Sequence, residues 1–327
     1  MLKKICLALI LGALLLAAQA ADKPVPAVDA TTEATPYSAE AQKSPPSEAM
    51  RRAESGATHY TQSRNREAGV FQQAEGQKWR TVHNGPVTFY GGWLLVLVPL
   101  LILGYYAIFG PMRVHDPLTG RMMQRFETWE RYIHWTTAIC FVTLGLTGII
   151  ILFGKHIFIP VIGHEAFSWV AVIAKNLHNL VGPLFFVSIV MLFRRFVKYN
   201  LWQRFDWQWL LHAPSILRGK MNVPSDKFNA AEKMWFWMGV CLFGLIVSLS
   251  GFVLDFPNFE QGRHAMQIAN LIHGIGAILF ISAAFGHIYM GTIGAEGAFK
   301  AMQTGMVDQA WAKEHHELWY EKEKSKP

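Results

Sequence analysis

Five apolar segments without any Asp, Glu, Lys or Arg constrain the fold of this 327-residue chain more than any other feature. They cover residues 89–109, 132–154, about 176–193, 234–254 and 265–293. Crossing the hydrocarbon core of a bilayer takes about 20 residues of helix, and inside lipid the backbone polar groups must be bonded internally. The segments therefore predict an all-α membrane protein, built as a bundle of transmembrane helices.

The composition agrees with a lipid environment. Only 16% of the residues are charged, whereas soluble domains average about 25%. A formal net charge of +7 is common in proteins that bind nucleic acid. Here, however, the 52% hydrophobic content favours membrane lipid as a partner and no nucleic acid. A sixth apolar stretch, residues 157–174, contains Pro160, His164 and Glu165, so it fits an interfacial or re-entrant helix better than a span.

The distribution of Lys and Arg predicts the orientation of the spans. Seventeen of these residues lie in segments 111–131, 194–233 and 294–327, against three in the short loops on the other side. Loops rich in Lys and Arg stay in the cytoplasm, so these three segments are predicted to be cytoplasmic. The protein is thus expected in the bacterial cytoplasmic (inner) membrane, multi-pass, with the mature N-terminus periplasmic and the C-terminus cytoplasmic.

Residues 1–20 have the layout of a secretory signal peptide. Lys3 and Lys4 precede an apolar run, and Ala18-Gln19-Ala20 matches a cleavage site. An uncleaved transmembrane helix is the alternative, although the apolar run is short for a span.

The remaining sequence divides into further regions by composition. Residues 21–87, rich in Ala, Pro, Ser, Glu and Gln, are predicted to form an exported, largely disordered tail. Four further regions follow in the prediction: an extra transmembrane helix over 88–110, a cytoplasmic loop over 111–131, a four-helix domain over 132–293 and a cytoplasmic tail over 294–327.

The three cysteines exclude thiolate-held clusters. Cys6, Cys140 and Cys241 each lie in an apolar run, far apart in sequence. No pair has the spacing of a zinc or iron–sulfur site.

Four of the thirteen histidines lie inside or at the ends of predicted spans: His134, His178, His273 and His287. Ionisable side chains in hydrocarbon are costly and are often functional. His273 and His287 are 14 residues apart, which places them on one face of a helix and about 21 Å apart along its axis. This spacing suits two metal centres stacked across the membrane. The other nine histidines lie in loops or tails, where solvated surface residues are expected.

Depth in the membrane selects the partners of these two histidines. In the predicted orientation, His178 and His273 lie towards the periplasm, whereas His134 and His287 lie towards the cytoplasm. Each pair suits one b-type haem with two imidazole ligands, and small residues nearby would admit a macrocycle: Gly145, Gly148, Gly182, Gly274 and Gly276. Interhelical hydrogen bonding and a proton or ion pathway are the alternatives.

Several longer motifs surround these histidines and extend beyond them. They are Glu130-Arg-Tyr-Ile-His134-Trp135, Asn176-Leu-His178-Asn-Leu-Val-Gly182, Lys227-Phe-Asn229-Ala-Ala-Glu232-Lys233-Met-Trp-Phe-Trp237, Leu271-Ile-His273-Gly274, Gly286-His287-Ile-Tyr-Met290 and Trp311-Ala-Lys-Glu-His315-His316-Glu-Leu-Trp-Tyr320. Together, over about residues 126–320, they resemble the membrane cytochrome b (gamma) subunit of respiratory formate dehydrogenase. The chain is similar to a long form of that family, with an extra N-terminal span introduced by Asn84-Gly-Pro-Val-Thr-Phe-Tyr-Gly-Gly-Trp93.

The resemblance implies a four-helix dihaem cytochrome b core plus the extra N-terminal helix. Its cofactors would be two haem b groups. His134 and His287 would bind the iron of the cytoplasmic-side haem, and His178 and His273 that of the periplasmic-side haem. Quinone, the substrate, would bind near Asn229 and His287.

The resemblance also implies the function and the partners. Formate would be oxidised on a separate molybdenum or tungsten catalytic (alpha) subunit. Electrons would pass through an iron–sulfur (beta) subunit in the periplasm, then through the two haems to quinone at the cytoplasmic side. The chain would thus be the electron-transfer and quinone-reducing subunit of the complex, and it would also anchor the complex in the membrane.

Two other functions stay open from the residues. A cytochrome b subunit of a hydrogenase or thiosulfate-type reductase has the same four helices and two haems, and a haemless transporter or anchor is a more distant alternative. The family's asparagine is followed by Ala-Gly-Gln, whereas Asn229 is followed here by Ala230, Ala231 and Glu232. Glu232 therefore either takes part in quinone protonation or only caps the next helix, where the helix dipole favours an acid.

Overall fold

A computed structural model describes residues 74–216, 218, 223–257, 259 and 261–325. The predicted signal peptide, residues 1–20, and the predicted exported tail up to residue 73 lie outside the described residues. Residues Trp79–Pro327 form one compact unit, and the account below concerns that unit.

Five helices are long and apolar enough to cross a membrane, which confirms the all-α membrane fold class. They are α1 (Gly76–Phe109), α2 (Thr128–Ile157), α3 (Ile159–Tyr199), α5 (Ala230–Asp255) and α6 (Arg263–Gly294). Shorter elements complete the described part of the chain: α4 (Arg204–Ile216), α7 (Ala298–Thr304), α8 (Gln309–His315), α9 (Glu317–Lys324) and the strands β1 (Met122–Gln124) and β2 (Met306–Asp308).

Polar side chains mark where the long helices begin and end. At the start of α2, the Glu127 backbone N–H donates to the Glu130 carboxylate at 2.9 Å. At the start of α5, Asn229 and Glu232 form a reciprocal capping box, which satisfies two N–H groups that a helix start leaves without helical partners. Helix α1 ends at Gly110, whose φ of 69° lies in the left-handed region that glycine adopts at little cost.

The stretch predicted as a separate interfacial helix, residues 157–174, is instead mostly the first part of α3. The only break within Ile159–Phe196 is at Gly163, where φ is 76° and ψ is 172°. From His164 onward the helix runs without interruption into the third span. The stretch and the span therefore form one long element with a kink near its start.

The long helices pack side by side as a bundle. Helix α2 packs along α3, α5 packs on both α3 and α6, and α1 packs on α6. Gly91 of α1 lies against Ile278 of α6, so a small residue permits the close approach of these two helices. The outer face of α1 carries exposed apolar side chains such as Leu101 and Ile108.

Segments 111–127, 200–216, 223–229 and 295–325 fold together over one end of the bundle, which we call the capped end. Strands β1 and β2 pair antiparallel, with Met122 opposite Asp308. Ion pairs tie the segments to the helices: Lys227 and Arg195 both contact the fully buried Glu130, and Lys233 contacts the buried Asp206 at 2.8 Å. We call the opposite end of the bundle the far end.

Candidate functional site

The four histidines of the predicted spans meet in the interior as two pairs. The ring centres of His134 and His287 lie 6.2 Å apart, and those of His178 and His273 lie 6.0 Å apart. These are the same two pairs that depth in the membrane predicted. We call His134 and His287 the capped-end pair, and His178 and His273 the far pair.

The far pair has a defined hydrogen-bonding pattern. His273 Nδ1 lies 3.0 Å from the carbonyl oxygen of Val247, which only accepts, so the proton of this ring is on Nδ1. The Thr147 hydroxyl donates to the carbonyl oxygen of Thr143 at 2.8 Å and accepts from His178 Nδ1 at 2.8 Å. In both rings Nε2 is left with a free lone pair, which is the arrangement that metal-binding histidines use.

The capped-end pair is held differently. The indole ring of Trp235 stacks on His287, with centres 4.6 Å apart and planes 8° from parallel. A Cβ added at Gly239 would lie 2.8 Å from that indole ring, so glycine leaves room for it. His134 Nδ1 is buried and has no hydrogen-bond partner within the described part of the chain.

The distances within each pair fit one metal between two imidazoles. Imidazole nitrogen binds a first-row metal such as zinc at about 2.0–2.1 Å, so two rings on opposite sides of one metal have centres roughly 6 Å apart. Both pairs have this separation. Each pair could supply two protein ligands to one metal, the number that a b-type haem with two imidazole ligands would use.

Glycines beside the rings give a second test of the fit. A Cβ added at Gly148 would lie 3.5 Å from His178 Cε1, and one at Gly251 would lie 3.3 Å from His273 Cε1. At Gly182 and Gly274 an added Cβ would meet no atom within 4 Å, so the helices leave open space beside the far pair. The donor set and its surroundings therefore fit haem.

Two of the glycines chosen from the sequence have a different role. A Cβ added at Gly145 would contact Ile281, and one at Gly276 would contact Ile246 at 3.1 Å. These two positions serve the close packing of helices. Gly251, which lies against His273, was not among the residues chosen from the sequence.

An aromatic layer separates the two pairs. Phe280 lies seven residues from both His273 and His287 on α6. The centre of its ring lies 4.7 Å from that of Phe141 on α2 and 6.4 Å from that of Phe185 on α3. Phe141 and Phe185 are themselves seven residues after His134 and His178. Seven residues are two helical turns less about 20°, so each helix presents a histidine and a phenylalanine on the same face. This seven-residue spacing of histidine and phenylalanine is visible in the sequence itself.

Asn229 and Glu232 lie where α5 leaves the capped end. The Asn229 side-chain oxygen accepts from the Glu232 backbone N–H at 3.0 Å, and Glu232 Oε2 accepts from the Asn229 N–H at 2.9 Å. Glu232 therefore does cap the helix, one of the two roles that the sequence left open. Its Oε1 also accepts from Arg125 Nη2 at 3.0 Å.

Two histidines expected to be solvated are not: His316 is buried and His315 is half-buried. His316 is 1% exposed, and its Nδ1 donates to the carbonyl oxygen of Asp226 at 2.7 Å. His315 Nε2 is buried without a hydrogen-bond partner in the described part of the chain. Burial and the nearby Arg125 charge hold the pKa of His316 well below its ordinary value, so this ring is neutral at neutral pH.

Comparison with known proteins identifies the family. A sequence profile described as prokaryotic cytochrome b561 matches residues 125–305, which is more than half of the chain. The chain belongs to this family. Because cytochromes b carry haem, membership implies haem b as the cofactor.

Curated relatives are more specific. The chain is similar to the nitrate-inducible formate dehydrogenase cytochrome b556(Fdn) subunit of Escherichia coli K12, 32% identical over 206 residues that cover 62% of this chain and 91% of that subunit. The formate dehydrogenase cytochrome b556(fdo) subunit of the same strain is 29% identical over 204 residues, covering 60% and 90%. The formate dehydrogenase cytochrome b556 subunit of Haemophilus influenzae is 27% identical over 210 residues, covering 61% and 82%. The resemblance seen in the sequence is confirmed.

Proposed function

We propose that this chain is the membrane-anchoring cytochrome b subunit of a formate dehydrogenase complex. In this proposal it holds two haem b groups and passes electrons to quinone at the capped end. Its partners are an iron–sulfur subunit at the far end and, beyond that, a molybdenum or tungsten catalytic subunit. The similarity to formate dehydrogenase cytochrome b556 subunits supports the choice of complex.

One observation supports the two-haem proposal above all others. Two histidine pairs, each with ring centres about 6 Å apart, lie on the three helices α2, α3 and α6, at levels that are 14 residues apart on α6. The main alternative is that the histidines only form hydrogen bonds between helices. That role would not require the same separation of ring centres in both pairs. A proton pathway would need titratable groups between the two levels, but Phe280, Phe141 and Phe185 fill that space.

The chain's own residues bind and orient the cofactors. When bound, haem b supplies one-electron redox chemistry at its iron. His178 and His273 are preset with Nε2 free, because Thr147 and Val247 hold the Nδ1 protons. Trp235 fixes the plane of the His287 ring by stacking on it. The protein thus supplies position and ligation, and the cofactor supplies the electron chemistry.

The capped end is proposed to face the cytoplasm and to hold the quinone. Among the described residues, most Lys and Arg lie at or next to that end, which favours the cytoplasmic side. Asn229 and Glu232 lie at that end, at the start of α5, and Trp235 of the same helix stacks on His287. Quinone reduction beside these residues would take up protons from the cytoplasm, whereas formate oxidation on the other side would release one.

Haem counting tests the ligand assignment. The complex is purified through this chain, and haem per chain is determined from the pyridine haemochrome spectrum. Two haems are expected for the wild-type protein, and one each for His287→Ala and His178→Ala, because each substitution removes one of the two histidines that would hold one haem. His212→Ala, an exposed histidine of α4, is the matched control and should keep both. Two unchanged haems in His287→Ala would contradict the assignment.

The proposed quinone site is tested at Asn229. The side chain of Asn229 caps α5, and alanine at an N-cap costs about 0.5–2 kcal/mol, so Asn229→Ala would mix two effects. Asn229→Ser keeps a good N-cap residue and removes the amide. We expect Asn229→Ser to keep both haems and to lower reduction of a quinone analogue by formate at least tenfold. Wild-type turnover in this variant would contradict the role of the amide.

The identity of the complex is tested by its subunits. Affinity purification of the tagged full chain from the native membrane should yield an iron–sulfur protein and a molybdenum or tungsten protein with formate-dependent reduction of the cytochrome. A nickel-containing partner that reduces the cytochrome with hydrogen would instead favour a hydrogenase.

A further inference from the structure

The extra helix, α1, ends beside the C-terminal end of α6. The two helices run in the same direction: Gly91 of α1 lies against Ile278 of α6, and Met112, just after α1, pairs in parallel with Ala295, just after α6. The family profile matches only residues that follow α1 in the chain. Membership of the family therefore does not explain what α1 does, and its contacts are the evidence for its role.

Three tyrosine rings join α1 to the last turns of α6. The ring centre of Tyr289 on α6 lies 6.5 Å from that of Tyr105 and 6.2 Å from that of Tyr106, with interplanar angles of 86° and 82°. Edge-to-face contacts of this kind are favourable and directional. They therefore fix the rotation of α6 about its axis as well as its distance from α1. We refer to Tyr105, Tyr106 and Tyr289 as the tyrosine cluster.

Backbone hydrogen bonds continue this contact beyond the rings. The Met112 N–H donates to the carbonyl oxygen of Gly294 at 2.9 Å, and the Glu296 N–H donates to the carbonyl oxygen of Met112 at 2.9 Å. The intervening end of α6, Met290–Gly294, is a π-helical turn, a rare form that is frequent at functional sites. The last carbonyl groups of a helix lack partners within it. Here the chain that leaves α1 supplies one.

Glycine at position 294 makes room for the tyrosine cluster. A Cβ added at Gly294 would lie 2.8 Å from Cε1 of Tyr289, well inside the carbon–carbon contact distance of about 3.5–4.0 Å. The Tyr289 ring can therefore lie over the end of its own helix only because residue 294 has no side chain. Gly294→Ala would displace that ring without altering α1.

The tyrosine cluster and the capped-end pair lie on different sides of α6. Residues 287 and 289 are two positions apart, which is about 200° around a helix axis. Tyr289 accordingly contacts α1, whereas His287 stacks on Trp235 of α5. At this level α6 is therefore held between an indole ring on one side and the tyrosines of α1 on the other.

The far pair is held in another way. The residue two positions after His273 is Ile275, which is 43% exposed, and the His273 ring is fixed by its hydrogen bond to the Val247 carbonyl oxygen. At the capped end, His134 Nδ1 has no hydrogen-bond partner in the described part of the chain. Where hydrogen bonds do not orient a ligand ring, its orientation depends on packing and on the placement of its helix.

We propose that α1 is a positioning element for the capped-end haem. The tyrosine cluster and the Met112 bonds hold the end of α6, so that His287 binds iron in one fixed orientation. This inference rests on the two-haem function proposed above. A protein tunes a haem through its axial ligands and through the groups that orient them. Helix α1 therefore sets the potential of the capped-end haem and leaves that of the far haem unaffected.

Two substitutions disrupt the tyrosine cluster in different ways. Tyr289→Leu removes the edge-to-face contacts but keeps an apolar side chain, and Gly294→Ala displaces the ring but keeps all three tyrosines. Tyr289→Phe retains the ring and is the conservative variant. Tyr132→Leu is the matched control, because Tyr132 lies two residues from a ligand, His134, but is 64% exposed.

The experiment uses the purified full complex and reads each haem separately. The low-field electron paramagnetic resonance line of an oxidised haem responds to the angle between its two imidazole planes, and an optical redox titration gives each midpoint potential. His178→Ala, which should keep only the capped-end haem, assigns the signals. We expect Tyr289→Leu and Gly294→Ala to shift the line and the potential of the capped-end haem alone. Tyr289→Phe and Tyr132→Leu should match the wild type.

The far haem serves as the internal reference for the outcome. An unchanged capped-end haem in both Tyr289→Leu and Gly294→Ala would overturn the inference. Equal shifts of both haems would also overturn it, because α1 would then support the whole bundle. Selective loss of the capped-end haem would be the same effect in a stronger form. If neither variant assembles, Tyr106→Leu, which leaves α6 unaltered, should give the selective shift. If the wild-type complex contains no haem, the proposed function itself fails.

Discussion

At the scale of single residues, the two histidine pairs differ in what holds their Nδ1 atoms. His178 and His273 each donate to a fixed acceptor, whereas His134 Nδ1 has no partner in the described part of the chain. A hydrogen bond to Nδ1 makes Nε2 a stronger base and fixes the ring orientation. The far pair is therefore the stronger and more rigid donor set.

Thr147→Val tests this difference. The substitution keeps the shape of the side chain but removes the acceptor for His178 Nδ1–H. Loss of such a partner typically weakens metal binding by about 10- to 100-fold, so we expect faster loss of one haem to a scavenger protein, measured by absorbance. Thr137→Val on the same helix is the control, because its hydroxyl bonds only to the Ile133 carbonyl, at 2.8 Å. Equal haem loss from both variants would contradict the role of Thr147.

The limits of sequence reasoning at this scale are visible in His315 and His316. Their position in a charged C-terminal tail predicts solvated side chains, yet His316 is buried and His315 is half-buried. Their burial depends on contacts with residues about 90 or more positions away, such as the bond from His316 to the Asp226 carbonyl. A local pattern contains no information about such contacts. The intramembrane histidines were found because an imidazole within an apolar run is unusual in any context.

At the scale of elements, the aromatic layer fixes the distance between the two histidine levels. Phe280 is 4% exposed and contacts rings from α2, α3 and α5: Phe141, Phe185, Trp235 and Phe243. The layer therefore joins all four helices of the histidine-bearing bundle at one level. Its loss would loosen both sites together.

Phe280→Ala should lower stability strongly while leaving all four histidines in place. Removing a buried phenylalanine costs about 3–5 kcal/mol, and leaves a cavity whose cost depends on how far the helices relax. We expect a clear decrease in the temperature at which haem absorbance is lost on heating. Phe280→Leu fills most of the cavity and should recover most of the loss. An unchanged transition in Phe280→Ala would show that the layer does not hold the helices together.

Asp308 links two segments of the capped end. Its carboxylate accepts from the N–H groups of Ala310, at the start of α8, and Gly120, in the loop before β1, at 2.8 and 2.7 Å. Partial burial opposes ionisation, but the bonds to Ala310, Thr119 and Gly120 outweigh it and hold the pKa of Asp308 below its ordinary value. One side chain thus caps a helix and fixes a loop that lies almost 190 residues earlier.

Asp308→Ala should destabilise α8 in a pH-dependent way. Loss of an N-cap costs about 0.5–2 kcal/mol, so amide hydrogen exchange in α8 should become faster at pH 7. Because the folded-state pKa is depressed, the ionic part of this stabilisation is present above the unfolded value of about 3.9 and is lost as the pH falls through the folded value. The difference between variant and wild type should therefore shrink in that acidic range. Asp308→Asn keeps an acceptor and should retain most of the protection, and a difference that persists undiminished in acid would contradict the assigned cause.

Hydropathy predicted the long helices better than it predicted the boundaries between them. The five charge-free segments all lie within long helices, because lipid excludes charge from every turn of a span. Residues 157–174 carry Pro160 and Glu165 and so read as a separate element, although only Gly163 interrupts the helix. Proline is tolerated in the first turn of a helix, and a single charge at a helix end reaches water. Neither residue is therefore a reliable boundary.

At the scale of the whole molecule, the chain is polar at the capped end and apolar along the bundle. Segments that are far apart in sequence form one folded cap through β1, β2 and buried ion pairs such as Asp206–Lys233. In the described part of the chain, the connections between helices at the far end are short: α2 and α3 meet near Phe158, and α5 and α6 are separated by residues 256–262. The cap and the proposed quinone site therefore lie at one end of the bundle, and the consequence of quinone reduction depends on which side of the membrane that end faces.

Thiol labelling determines the side. Cys140 is buried and Cys241 lies within α5, so with Cys6 replaced by Ser a cysteine added at an exposed position reports on that position. Lys155→Cys places the thiol at the far end and Glu321→Cys places it in the cap, and both residues are exposed. With a membrane-impermeant maleimide on spheroplasts, we expect labelling of Lys155→Cys only, and labelling of Glu321→Cys only in inverted vesicles. The reverse pattern would place the cap outside. Proton uptake for quinone reduction would then occur on the side where formate oxidation is proposed to release its proton, and turnover would no longer build a membrane potential by separating the two reactions.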